Sequence, residues 1–142
     1  MLRKDYLEKQ LEALSIAIAK LISGMKGQKT GADTVSVINS ANEFSKAEFD
    51  VPLNEIIAID PGGLLDYLVK KKQLNIRKID LLADLLFATT EFYEKSEKQV
   101  VVKSLYQKIV TIYDYVNKTG KTFSSERQEK ITTLNSKIDE LK

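Results

Sequence analysis

From Leu2 onward, apolar residues return at intervals of three and four with polar residues between them, so the chain reads as a succession of amphipathic helices. The first is the clearest. Leu7, Leu11, Leu14, Ile18, Leu21 and Met25 follow one another at spacings of 4, 3, 4, 3 and 4, a heptad seam that predicts a helix over residues 2–26. Tyr6, Ala13, Ala17 and Ile22 widen the seam into a broader stripe. Such a seam has two uses, packing on the rest of its own domain or pairing with a second copy of the chain, and its six residues are the candidate dimer contact. Gly24 and Gly27 stand where the pattern stops, Gly27 being the better candidate for the position that follows a helix end.

Residues 28–33 read as a linker, with Thr30 and Asp33 as a capping-box-like pair. The second helix then runs to about Glu48, with Val35, Ile38, Ala41 and Phe44 expected inward. A turn follows at Phe49-Asp50-Val51-Pro52, Pro52 fitting the first turn of a short helix that holds Leu53, Ile56 and Ile57. Asp60 and Pro61 suit the cap and first position of the next helix, which buries Leu64, Leu65 and Leu68 and ends in Lys70-Lys71-Lys72. Asn75 is placed to cap a helix over 76–95. It is apolar on two sides, with Ile79, Leu82, Leu86 and Tyr93 on one and Leu81, Leu85, Ala88 and Phe92 on the other, so it is expected at the centre. Ser96 and Gln99 have the spacing of a capping box for a helix over 97–118. That helix turns Val101, Leu105, Ile109, Ile112 and Val116 inward beside Val102, Tyr106 and Tyr113, and Gly120 closes it. Ser125 and Gln128 repeat the box before a last helix with Ile131, Leu134, Ile138 and Leu141 on one side. The β-branched run Val100–Val102 carries the helical pattern through without a break, and no strand is expected.

Composition narrows the functions. The 142 residues include no histidine, cysteine or tryptophan. A chain of this length forms one domain that buries roughly two thirds of its unfolded surface. Without cysteine there is no disulfide framework and no thiolate metal site. A net charge of +2 gives no global signal for nucleic acid or membrane, and neither is expected as a partner. The opening Met1-Leu2-Arg3-Lys4 looks like the start of a signal peptide, but Asp5, Glu8, Lys9 and Glu12 occupy its apolar stretch, so the chain reads as unexported and cytoplasmic.

Acid–base chemistry without histidine needs paired carboxylates, lysine or tyrosine. Glu91 and Glu94, and Glu126 and Glu129, each lie one helical turn apart, the spacing of a solvated face as much as of a site. Asp60-Pro61-Gly62-Gly63 precedes a helix without any surrounding phosphate-loop pattern, and reads as a turn and cap. Lys70, Lys71, Lys72, Arg77 and Lys78 form a local basic cluster, read first as a solvated helix end. No catalytic residue, metal ligand or cofactor site is expected.

Helices 83–116 have tetratricopeptide spacing. Leu86, Tyr93 and Tyr106 stand at the large-residue positions of that repeat of about 34 residues, and Ser104–Lys108 resembles the core of its second helix. Thr90, Val102 and Ile109 depart from it, standing where small residues are usual. Ordinary helix-hairpin periodicity produces similar spacing. The opening Arg3-Lys4-Asp5-Tyr6-Leu7 with Gln10-Leu11-Glu12 is similar to that of a small uncharacterised bacterial family of tetratricopeptide-like domains, and Asp50–Leu86 looks like its middle portion. The resemblance implies a fold and a bacterial cytoplasmic setting, without an activity.

The resulting expectation is an all-α single domain over residues 1–142: a long N-terminal helix (1–27), a short-helix segment (33–73), a tetratricopeptide-like hairpin (76–118) and a C-terminal helix (124–142), stacked as a short right-handed array. Its expected role is a non-catalytic module that binds a protein or peptide. By the resemblance, Asp84, Phe87, Glu91 and Glu94 face the groove, and their charge suits a partner carrying lysine or arginine. The alternative is a self-associating homodimer through the heptad of residues 7–25.

Overall fold

Seven helical segments follow one another in the computed structural model, which describes residues 2–26 and 34–141. They are α1 (Leu2–Lys26), α2 (Thr34–Phe49), α3 (Leu53–Ala58), α4 (Leu64–Asp66), α5 (Ile76–Ser96), α6 (Gln99–Gly120) and α7 (Ser125–Glu140). No described residue is in a strand. Gly27 and the expected linker with its Thr30–Asp33 pair lie outside the described residues.

The helix with the widest apolar circumference sits where its composition requires. In α5, Ile79, Leu82, Leu85 and Leu86 are wholly buried, and Phe92 and Tyr93 nearly so. Each such side chain contributes about 1.5–3 kcal/mol on leaving water. α5 packs against α6, α2 and α1, and α7 packs against α6 and reaches α5 through ion pairs. Two threonines inside α5, Thr89 and Thr90, are also buried, and their hydroxyls donate to the Leu86 and Phe87 carbonyls at 2.7 Å. Bonding back to the preceding turn lets a hydroxyl enter an apolar contact without an unpaired donor.

Between α2 and α5 the chain is tightly bent. A 3₁₀ turn, Pro61–Gly63, leads into α4, and a wider π turn, Tyr67–Lys71, follows it. The single helix expected around Leu64, Leu65 and Leu68 is therefore three short geometries, with Leu64 and Leu68 buried and Leu65 half-buried. Pro52 is the residue before α3, in extended conformation, one step ahead of its expected place.

Several helix ends correct the sequence expectation. Asn75 caps α5, its side chain accepting from the Lys78 N–H at 2.9 Å. Ser96 does not cap α6. It completes the last turn of α5, and α6 starts at Gln99 behind Lys98, with no side-chain cap. For α7 the cap is Ser124, one residue earlier than expected, whose Oγ accepts from the Arg127 N–H at 3.2 Å. Asp60 precedes the Pro61 turn as expected but caps nothing with its side chain. Gly24 lies within α1. In α2 the interior is Thr34, Val37, Ala41, Ser45 and Phe49, while Val35 is exposed and Ile38 and Phe44 are half-buried. The two stripes share Ala41 and diverge on either side of it, because the buried spacing is 3, 4, 4 and 4 rather than 3, 3 and 3. Ser45 within it donates to the Val51 carbonyl at 2.6 Å and closes the following turn.

α6 closes at Gly120 as expected, and the left-handed residue is the next one, Lys121, at φ 51°. Gly120 also lies close to α5, where a Cβ on it would stand 3.0 Å from the Ile76 Cδ1.

Candidate functional site

Asp84, Phe87, Ala88 and Glu91 recur at helical spacing along one side of α5. α1 and α7 flank that side without closing it. Ile22 and Met25 of α1 form an apolar wall, Lys130, Thr133 and Lys137 of α7 a polar one, and the cleft between them has a volume of about 440 Å³. Three of the four expected groove residues, Asp84, Phe87 and Glu91, thus line one cleft. Glu94 lines a smaller neighbouring cleft of about 260 Å³ with Tyr106, Glu140 and Leu141, and Lys137 borders both.

The electrostatics differ from an open acidic groove. Lys130 reaches Asp84 at 3.0 Å with its ammonium 5.5 Å from the centre of the Phe87 ring, and Lys137 reaches Glu94 at 2.9 Å with its ammonium 5.6 Å from that of Tyr106. On the α6 side the same carboxylates accept from tyrosine hydroxyls, Tyr113 to Asp84 at 2.6 Å and Tyr106 to Glu94. A third rung joins Asp80 to Arg127, which also donates to Asn117 at 2.7 Å. Each rung takes a carboxylate from α5, a neutral polar group from α6 and a cation from α7. Burial is the main cause that raises the Tyr113 and Tyr106 hydroxyls above the ordinary phenol range, and the adjacent carboxylates add to it, so both serve as neutral donors. The helix that the chain itself supplies therefore neutralises two of the three carboxylates expected to recruit a basic partner.

The heptad of α1 faces the chain's own body. Leu11, Leu14, Ile18 and Met25 are buried, Leu21 is half-buried, and only Leu7 is exposed, as is its neighbour Tyr6.

Sequence reasoning missed Lys108. It is 1% exposed, and its ammonium donates to the Ile56 and Ile57 carbonyls, each at 2.8 Å, where α3 ends. A cation at that terminus meets the negative end of the helix. Burial lowers the lysine's pKa, and Asp60 opposes the shift. The signal was present in the spacing, since Lys108 falls three residues after Leu105 and four before Ile112, inside the apolar stripe of α6. Arg127 was also missed; it is buried on a helix whose pattern is mostly polar.

The other sequence candidates stay apart from the cleft. Glu126 and Glu129 are exposed on α7. Lys70 pairs with Asp66 at 3.5 Å and Lys72 with Asp50 at 3.4 Å, while the Lys71 and Lys72 ammoniums lie near the Tyr67 ring. Among the described residues no group of three or more acidic side chains is arranged to hold a metal, and no helix is long and apolar enough to cross a membrane. Compared with known proteins, the chain matches no family model, no curated sequence and no solved structure at a significant level.

Proposed function

We propose that this chain is a non-catalytic protein-interaction module of tetratricopeptide-like architecture, acting in a bacterial cytoplasm, and that its binding surface is the cleft along α5. The observation that supports this reading is convergence. Asp84, Phe87 and Glu91, the residues that the repeat register points outward, line one cleft whose opposite wall is apolar Ile22 and Met25. A partner segment fits there by laying an apolar side chain over Phe87 and Ala88 and its polar groups against Glu91 and Thr133. Lysine or arginine is not required of it, because Lys130 and Lys137 already pair with Asp84 and Glu94. The test is photo-crosslinking from benzoylphenylalanine placed at position 91, compared with position 126 on the exposed face of α7. A partner captured at 91 and not at 126, and lost when Ala88→Arg fills the cleft, supports the reading. Equal capture from both positions removes it.

Self-association is a second reading, favoured by the exposed Tyr6 and Leu7 at the start of α1. It uses only that end of the heptad, since the rest of the seam is covered within the chain. Light scattering on the full chain and on Leu7→Glu separates the two readings: a dimer that this change dissociates supports self-association, and a monomer removes it.

A further inference from the structure

We infer that the end of the bundle where α5 begins and α6 stops is a surface for single-stranded nucleic acid. It shares no residue with the cleft, and the two readings stand or fall separately.

The sequence spreads its cations, and the fold collects them. Lys70, Lys71, Lys72, Arg77 and Lys78 surround the start of α5. Lys118 and Lys121 belong to the end of α6, 40 or more residues later. The approach of Gly120 to Ile76 sets that end against the first residue of α5, beside Arg77 and Lys78. Lys70, Lys71, Arg77, Lys118 and Lys121 are all exposed. The acidic side chains near these segments are Asp50, Asp66 and Asp80, which pair with Lys72, Lys70 and Arg127, and Glu126 and Glu129 on α7. Asp114 lies one turn before Lys118. Cations remain in excess, and the overall charge of +2 conceals the concentration.

The second observation is Phe123. It is 83% exposed, two residues beyond Lys121, the largest exposure among the exposed large apolar side chains. The turn after α6 thus adds a free ring to this end of the bundle, beside Ser125, Gln128 and Glu129 of α7. A cationic surface that follows phosphates, with a free ring on which a base can stack, is the arrangement that holds single strands. A duplex keeps its bases stacked and offers that ring nothing. An anionic membrane would meet the lysines but needs a broader apolar face than one ring flanked by Thr122, Ser124 and Ser125.

The test is fluorescence anisotropy of a labelled oligothymidylate of about 20 nucleotides with the full chain at about 50 mM salt, repeated at rising salt. Saturable binding is expected. Lys118→Gln/Lys121→Gln should weaken it and reduce the slope of log affinity against log salt by about 1.4, at roughly 0.7 per cation on a single strand. Phe123→Ala should weaken it about fivefold or more. All three positions are exposed, and circular dichroism verifies that the variants fold. Absence of saturable binding, or affinity unchanged in the variants, overturns the inference. Binding to phosphatidylserine vesicles in place of the oligonucleotide also overturns it, by assigning the surface to a membrane.

Discussion

Arg127 forks onto Asp80, Nε donating to Oδ1 at 3.3 Å and Nη2 to Oδ2 at 3.0 Å, so that the first turn of α7 is tied across the bundle to α5. The guanidinium is nearly buried and its Nη1 is committed to Asn117. A planar fork is what a lysine cannot supply. Arg127→Lys is therefore expected to destabilise the chain by about 1–2 kcal/mol, and Arg127→Met by about 2–3 kcal/mol, since the latter leaves Asp80 without its charged partner. Urea unfolding followed by circular dichroism measures both, and equal stability of Arg127→Lys and the parent would show that the fork geometry contributes nothing.

The buried ammonium of Lys108 holds the end of α3 through two carbonyls. Lys108→Met keeps the length and apolar stem but leaves those carbonyls without their donor. A loss of about 2–3 kcal/mol is expected, in line with hydrogen bonds from charged groups. Hydrogen exchange should show the α3 amides losing protection before those of α5, because α3 is the element the ammonium anchors.

Lys121 pays a steric penalty that glycine avoids, at φ 51°. Lys121→Gly is expected to stabilise by about 1 kcal/mol and raise Tm by roughly 3–5 °C. Gln73→Gly, at φ 54°, should act in the same direction. A melting temperature that falls in both would mean that the lysine and glutamine side chains contribute more than their backbone strain costs.

Leu14 and Leu7 occupy the same seam with opposite surroundings. Leu14→Glu places a carboxylate inside the contact of α1 with the body, and a loss of about 3 kcal/mol or more is expected. Leu7→Glu changes an exposed position and should shift monomer stability by less than about 0.5 kcal/mol. Comparable losses in the two would place the start of α1 against the body as well.

Alkaline stability has a definite sign. The hydroxyls of Tyr67 and Tyr93 are pushed up to about 12, and those of Tyr106 and Tyr113 are raised as well, burial leading in each case. A folded pKa above the unfolded value of about 10 gives stability that is complete below pH 10 and is lost as pH climbs through the folded value. Lys108 has the opposite sign, its lowered pKa making folding less costly as pH approaches its unfolded value. Four tyrosines oppose one lysine, so the urea midpoint should fall from about pH 10 upward. A midpoint that holds or rises from pH 10 to pH 12 would contradict this.

What depends on neighbours along the chain was legible before any tertiary contact. The two apolar sides of α5 could be buried only at the centre, and Asn75 could cap because its acceptor and the Lys78 N–H belong to one turn. The heptad of α1 was legible as an apolar stripe, since periodicity reports which residues share a face. It does not report what that face meets, and only the tertiary structure set Leu14 against the chain's own body. The three polar rungs were likewise invisible. Asp84 meets Tyr113 and Lys130 only once the offsets of three helices are fixed, and those offsets follow from side-chain packing across the core. Ser96 was misread for the same reason: it has the chemistry of a helix start but falls within the last turn of α5, whereas Gly120 closes α6 as its chemistry suggests. The groove residues were placed by a pattern that includes only their own helix, whereas their charge was decided by lysines more than 40 residues away, which the fold alone brings within hydrogen-bonding distance.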